Sequence, residues 1–207
     1  MAERGEPSPY FFRLAALALG IVVLSSLGAA LVGQSRSHAP ADPSANASSD
    51  YAVLARRELG MPVPGIKASD LHDTYRERRG SGRTHEALDI AARRGDPVVA
   101  VDDGEVAKLF DSKAGGLTVY QFDRDRAYCY YYAHLDRYAE GLRDGMWLQR
   151  GTVIGYVGSS GNAPPAAPHL HFAIFKLGPD RRWWHGTPID PYPLLTRSAP
   201  QPELGAG

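Results

Sequence analysis

The stretch PHLHFAIF, residues 168–175, decides the fold class and raises the functional question together. Read as a strand, it puts His169, His171 and Ala173 on one face and Leu170, Phe172 and Ile174 on the other, because side chains alternate across the pleat. The apolar face reads as core. The histidine face reads equally well as a site or as polar positions on a solvated sheet. Residues two apart on a strand have Cα atoms about 6.6 Å apart, so both imidazoles can serve one metal, or one metal and one reacting group.

Outward from this stretch the same pattern repeats. PVVAV (97–101), EVAKLF (105–110), LTVYQF (117–122), YCYYYAHL (128–135) and TVIGYVG (152–158) are short runs of β-branched and aromatic residues divided by Gly, Asp and Pro, the signature of strands and turns. The expected fold is all-β, mainly antiparallel sheet. Asp102–Gly104 (DDG) predicts a hairpin turn between 97–101 and 105–110, and DRDRA (123–127) a slightly longer hairpin loop. The tyrosines are assigned to the core and to cross-strand packing rather than to a ligand platform. YAVLARRELG (51–60) predicts a short helix ended by Gly60 and the prolines of MPVPG. Trp183, Trp184 and the PYPLL segment after Ile189 predict a closing strand and a tail packed on the sheet, and residues 196–207 a disordered end.

The amino-terminal region is different in kind. Leu14–Val32, LAALALGIVVLSSLGAALV, carries no charge, and with Phe11 and Phe12 it is long enough to cross a bilayer as a helix. Residues 11–33 are therefore expected to be an uncleaved signal-anchor, although Gly28–Ala30 offers small residues for cleavage. Arg4 and Arg13 favour a cytoplasmic segment 1–10, opposed in part by Glu3 and Glu6. Residues 34–50, rich in Ser, Ala, Pro and Asn, predict a flexible linker, and 51–195 the folded domain. With 23 basic and 23 acidic residues the chain is formally neutral, which offers no nucleic-acid surface. Its single cysteine, Cys129, excludes an intrachain disulfide and a cysteine-based zinc cluster; a buried thiol is the reading preferred. A metal would have to rely on histidines and carboxylates.

Four of the seven histidines stand in distinctive contexts. In GRTHEALDI, His85 and Asp89 are four apart, a spacing that shares one face in a strand or a helix. His134 ends the run YYYAHL, and His169 and His171 complete the set. A hydrolytic zinc site uses three protein ligands and keeps a position open for water. His85, Asp89 and one histidine of the pair would supply them. His134 and the other member would then be left for water and substrate, as neutral imidazoles able to take and return a proton. The serines of GSSG (158–161) lie in a Gly-bounded turn without a nucleophile-elbow pattern and read as loop residues, with lining of the cleft as the lesser reading. His38, His72 and His185 read as surface or loop residues.

GRTHEALDIAARRGDPVVAVDDGEV, then YYYAHL, then GYVGSSGN and PHLHF, resemble the lysostaphin/LytM-type zinc metallopeptidases, the M23 family, in the family's own order and over most of 61–193. The resemblance implies a compact antiparallel β fold with a groove, a Zn2+ cofactor, and hydrolysis of peptide bonds in bacterial peptidoglycan. It implies His85, Asp89 and His171 as zinc ligands, with His169 and His134 as catalytic histidines. Ala87 replaces the glycine common inside the first motif, a change that fits a backbone with negative φ. The lysostaphin-like branch carries a tyrosine shortly before its first ligand; Tyr75 is too distant here to be assigned that role. Arg76, Arg78, Arg79 and Arg83 are candidate contacts for substrate carboxylates, with a solvated loop as the weightier reading.

Together these readings lead to an inner-membrane, single-pass zinc endopeptidase with its catalytic domain outside the cytoplasm, in the periplasm. Its partners would be peptidoglycan peptides and the membrane; a regulatory protein partner is left open. The main alternative is a non-catalytic LytM-like module that binds and activates other wall hydrolases, disfavoured because all five site residues are present. A third reading, a phosphocarrier domain related to sugar-phosphotransferase proteins, is opposed by the apolar segment and by Asp89.

Overall fold

The computed structural model describes residues 43–197. The expected cytoplasmic segment 1–10, membrane segment 11–33, linker residues 34–42 and tail residues 198–207 lie outside the described residues. Among the described residues no helix is long and apolar enough to cross a membrane.

Helix α1 (Pro43–Arg56) leads into nine strands: β1 (Leu88–Ala91), β2 (Pro97–Val99), β3 (Gly104–Ser112), β4 (Gly116–Asp123), β5 (Tyr128–Tyr138), β6 (Trp147–Leu148), β7 (Val153–Val157), β8 (His169–Leu177) and β9 (Gly186–Ile189), followed by the short helix α2 (Tyr192–Leu195). All nine join one antiparallel sheet whose main path runs β1-β8-β5-β4-β3-β6. Strand β5 is its axis. Residues 128–133 pair with β8, and residues 135–138 pair with β7, which in turn carries β2. The sheet therefore divides along β5 near residue 134.

The alternation read from PHLHFAIF is present. Leu170, Phe172 and Ile174 are fully buried in the main core with Leu88, Ile90, Tyr130 and Tyr132, each apolar side chain there stabilising the fold by about 1.5–3 kcal/mol. Ala173 joins a second cluster on the opposite face with Tyr120, Tyr131, Cys129, Ala133 and Ala87. Cys129 is wholly buried, and burial pushes its thiol pKa up. Tyr132 meets its polar requirement inside the core by donating to Gln121 Oε1 at 2.8 Å and accepting from the Val101 amide at 3.0 Å.

Three expectations are corrected. The DDG turn does not close a hairpin: β2 pairs with β7, while β3 pairs with β4 and β6, and Val98 of β2 meets Val106 of β3 through the shared core rather than through a ladder. The linker reading fails from Pro43 onward, where α1 begins with proline at its first position, as helices favour. Asp50, within that stretch, is buried and held by the Tyr128 hydroxyl at 2.9 Å and by Lys176 Nζ at 2.8 Å. Finally, the closing strand is β9, ahead of PYPLL, and Tyr192–Leu195 turns into α2 with Leu194 and Leu195 buried. The DRDRA loop does join β4 to β5 as a hairpin. Asp123 stabilises it by accepting from the Ala127 and Tyr128 amides at 2.7 and 2.6 Å.

Candidate active site

Strands β1, β8 and β5 lie side by side and bring the sequence-predicted residues together. Asp89 of β1 stands directly opposite His171 of β8, and Ala91 opposite His169. On the other side of β8, Ala133 stands opposite His171. His85 precedes β1, after which Glu86 takes a left-handed conformation (φ 58°) while Ala87 does not. The backbone condition that Ala87 needed is thus met, its methyl packed in the outer cluster.

His134 reaches the same site by a different route. Strict alternation from Tyr130 and Tyr132 would aim it into the core. Between the pairs Val119↔Tyr132 and Leu117↔Leu135, however, β5 has two residues where β4 has one, a β-bulge of the kind that re-aims side chains beside active sites. His134 takes φ 62° and its amide donates to Gly115 O at 2.8 Å. Leu135 returns to the core, fully buried.

The donor atoms of His85, Asp89 and His171 converge. His85 Nε2 is 3.0 Å from His171 Nδ1, and each lies 3.1 Å from Asp89 Oδ1. Three ligands on a tetrahedral zinc ion, each about 2.0–2.1 Å from it, stand about 3.3 Å from one another. The triangle is close to that size, and its two imidazoles and one carboxylate fit a catalytic zinc with a fourth position left for water. Burial alone would raise the Asp89 carboxyl, but hydrogen bonds to His171 and His85 pull it well below the usual carboxylate range. Burial lowers the pKa of His171 against the pull of Asp89, which favours the neutral, ligating form.

Surrounding residues fix these orientations, as metal-ligand histidines require. His85 Nδ1 lies 2.9 Å from Thr74 O, a contact that turns Nε2 toward Asp89 and His171. The Thr74 hydroxyl accepts from the Asp89 amide at 3.0 Å and donates to Ala87 O at 3.3 Å. Arg79 Nη2 donates to Asp89 Oδ2 at 2.5 Å, so Arg79 faces a ligand carboxylate within the protein rather than a substrate.

The two remaining histidines flank the triangle. The His134 ring centroid is 5.0 Å from that of His169 and 5.5 Å from that of His171, and His169 Nε2 is 3.8 Å from Asp89 Oδ1. His134 Nδ1 donates to Ser160 O at 2.8 Å, and His169 Nδ1 to Ala167 O at 2.9 Å. Each therefore presents Nε2 as its free ring nitrogen. Burial, reinforced by the neighbouring histidines, lowers the His134 pKa to about 4.

Thr74 carries no signal in the sequence, and Ser160, read there as a loop residue with cleft lining as the lesser alternative, supports the site from behind. Ser160 Oγ donates to Leu135 O at 2.6 Å and accepts from the Leu117 amide at 3.0 Å, locking the bulge from both sides. This requires close backbone approach: a Cβ on Gly116 (φ 62°) would lie 2.2 Å from Ser160 Oγ, and one on Gly161 (φ 73°) 2.3 Å from the Gly116 amide. From His171 an aromatic file continues over the outer sheet face through Tyr131, Tyr120 and Trp183 to Trp184, with centroid spacings of 5.9, 4.6, 4.6 and 5.0 Å.

Comparison with known proteins agrees with this geometry. The family model for peptidase family M23 matches residues 83–191. An L-Ala–D-Glu endopeptidase of Bacillus subtilis is 35% identical over 152 residues, 70% of this chain and 45% of that relative. The DD-carboxypeptidase/endopeptidase Mpg of Neisseria gonorrhoeae is 30% identical over 123 residues, 59% of this chain and 24% of that relative. The chain thus spans less than half the length of these curated relatives. Among solved structures, the catalytic domain of lysostaphin from Staphylococcus simulans is similar with a TM-score of 0.50 and 26% identity, covering 70% of this chain and 97% of that one. Helicobacter pylori Csd3 is similar with a TM-score of 0.51 and 26% identity over 68% of this chain and 33% of that one. With the family model spanning more than half of the sequence, and the His85, Asp89 and His171 donors gathered at one point, the chain belongs to peptidase family M23.

Proposed function

We propose that this protein is a membrane-anchored, extracytoplasmic zinc endopeptidase that hydrolyses peptide bonds in the stems or cross-links of bacterial peptidoglycan. The observation that carries the reading is the 3.0–3.1 Å triangle of His85 Nε2, Asp89 Oδ1 and His171 Nδ1. Three acceptor atoms held this close repel one another unless a proton or a cation lies between them. Zinc bound there would polarise the scissile carbonyl and lower the pKa of water toward about 7.

The chain's own residues then handle protons. His134, with a pKa near 4, is neutral across the neutral range; its Nε2 accepts a proton from the attacking water and returns it to the leaving amine. Ser160 O holds the other ring nitrogen in its protonated form throughout. His169 stands across the triangle, its Nδ1 held by Ala167 O and its Nε2 3.8 Å from Asp89 Oδ1, beside the place where a substrate carbonyl would be polarised.

Residues 11–33 are read as the anchor. Nine residues, 34–42, then separate it from the first turn of α1, a reach of about 30 Å when fully extended. That would keep the site close to the extracytoplasmic surface of the inner membrane. The Bacillus relative is named for an L-Ala–D-Glu bond and the Neisseria relative for DD bonds, so product identity distinguishes a stem cut from a cross-link cut.

The test is digestion of purified peptidoglycan by the full chain in detergent, with zinc quantified and fragments identified by mass spectrometry, beside an Asp89→Ala control. Stoichiometric zinc and fragments released by the parent protein alone are the expected result. Zinc without fragments would move the function to a binding and activating module, and absence of zinc would overturn the metal reading.

A further inference from the structure

Arg79 is the charged group packed most closely against the candidate metal ligands, and the segment that carries it is built to hold it there. Residues 77–85 fold back on themselves: Arg78 bridges to Thr84, the Arg79 amide donates to Arg83 O at 2.8 Å, the His85 amide donates to Glu77 O at 2.9 Å, and Gly80–Gly82 forms the tip with Gly82 at φ 74°. This returns the guanidinium to β1, where Nη2 meets Asp89 Oδ2 at 2.5 Å and lies 3.4 Å from Glu77 Oε2. Arg79 Nε is buried and has no hydrogen-bond partner among the described residues. Leaving such a donor unpaired costs free energy, so this placement must be held by the Asp89 contact and the fold-back.

The two oxygens of Asp89 have separate tasks. Oδ1 points between His85 and His171, while Oδ2 is taken by Arg79. A carboxylate with both oxygens free can offer both to a metal and fill the position that water needs. One whose outer oxygen is held in a short charge-assisted bond can offer only the other.

We infer that Arg79 is a positioning residue that keeps Asp89 a one-oxygen ligand and thereby keeps one coordination position open. This rests on the metal-site reading above. It does not depend on which peptide bond is cut, and it moves Arg79 from a substrate contact to a support of the centre.

Cobalt(II), whose visible absorption is intense when four-coordinate and weak at higher coordination, reports the difference without any substrate. The full chain in detergent is stripped of metal, loaded with cobalt, and compared with Arg79→Gln and Arg79→Lys, each checked for native circular dichroism. Arg79→Gln should weaken zinc binding, measured by chelator competition, by about 10–100-fold and reduce the cobalt absorption several-fold. Arg79→Lys, which keeps a cationic donor, should restore much of both. A folded Arg79→Gln protein with unchanged cobalt absorption and zinc affinity would overturn the inference even if its activity fell. Failure of the parent chain to bind cobalt would instead overturn the metal reading beneath it.

Discussion

Strand β5 carries charge at both ends, and the two ends handle it in opposite ways. At its start, Arg57 sits between Asp102, Asp123 and Asp125 at 3.2, 2.8 and 3.0 Å, and the Tyr130 hydroxyl donates to Asp102 at 2.9 Å. Each of the three carboxylates there faces the Arg57 guanidinium. Beyond its middle, beside His134, β8, β1 and the segment before β1 place two imidazole nitrogens and a carboxylate oxygen against one another. The first cluster is complete in itself and holds the β4–β5 hairpin to α1; the second is complete only with a cation and a substrate. Polar groups that satisfy each other stabilise a fold, and polar groups aimed at a common point make a site.

The largest effect should come from breaking the second cluster at its centre. Asp89→Ala removes the one anionic ligand, and we expect metal content near zero with cleavage at background. Substantial zinc in that variant, measured by elemental analysis, would show that the ligand set is wrong. His134→Ala touches the same cluster without touching the triangle. Its zinc should remain stoichiometric while kcat falls about 10²–10⁴-fold, the range for a lost general base. Loss of zinc along with turnover would instead make His134 part of the metal support.

Breaking the first cluster should have the opposite signature. Arg57→Ala leaves the fully buried Asp123 carboxylate without its cation, and removing one partner of a buried pair costs about 3–5 kcal/mol. Denaturant unfolding should show that loss, while the folded protein keeps its zinc affinity and kcat. A variant equally impaired in metal binding would join the two ends of β5 energetically and dissolve the contrast.

What could be read in advance follows the same division. That His169 and His171 share a face was legible because β8 is regular and a two-residue period needs no tertiary information, and that His85 and Asp89 share one because residues four apart do so in either secondary structure; their roles came only with the family resemblance. His134 could be flagged from its place at a strand end, yet its direction depends on a bulge that appears only when β4 and β5 are paired. Thr74, Arg79 and Ser160 were not legible as supports, since each acts across a fold-back or loop packing unmarked by local periodicity. The polar composition of 43–50 hid the start of α1 for a related reason: Asp50 is fixed by Tyr128 and Lys176, 78 and 126 residues away.

Ser160→Ala gives the smallest effect and the finest test of the comparison. Its hydroxyl bridges Leu135 O and the Leu117 amide, whereas its backbone carbonyl, which the substitution keeps, holds His134 Nδ1. Two net hydrogen bonds are lost in a partly buried place, so unfolding free energy should fall by about 1–2 kcal/mol. Turnover should fall no more than about tenfold, because the bulge loosens but the tautomer of His134 is still fixed. Zinc content should not change. Were the hydroxyl itself to carry chemistry, kcat would drop as far as in His134→Ala with stability nearly intact. The ratio of the two rate losses therefore separates a serine that steadies a bulge from one that reacts, and the geometry, with both hydroxyl bonds spent on the backbone, requires the first.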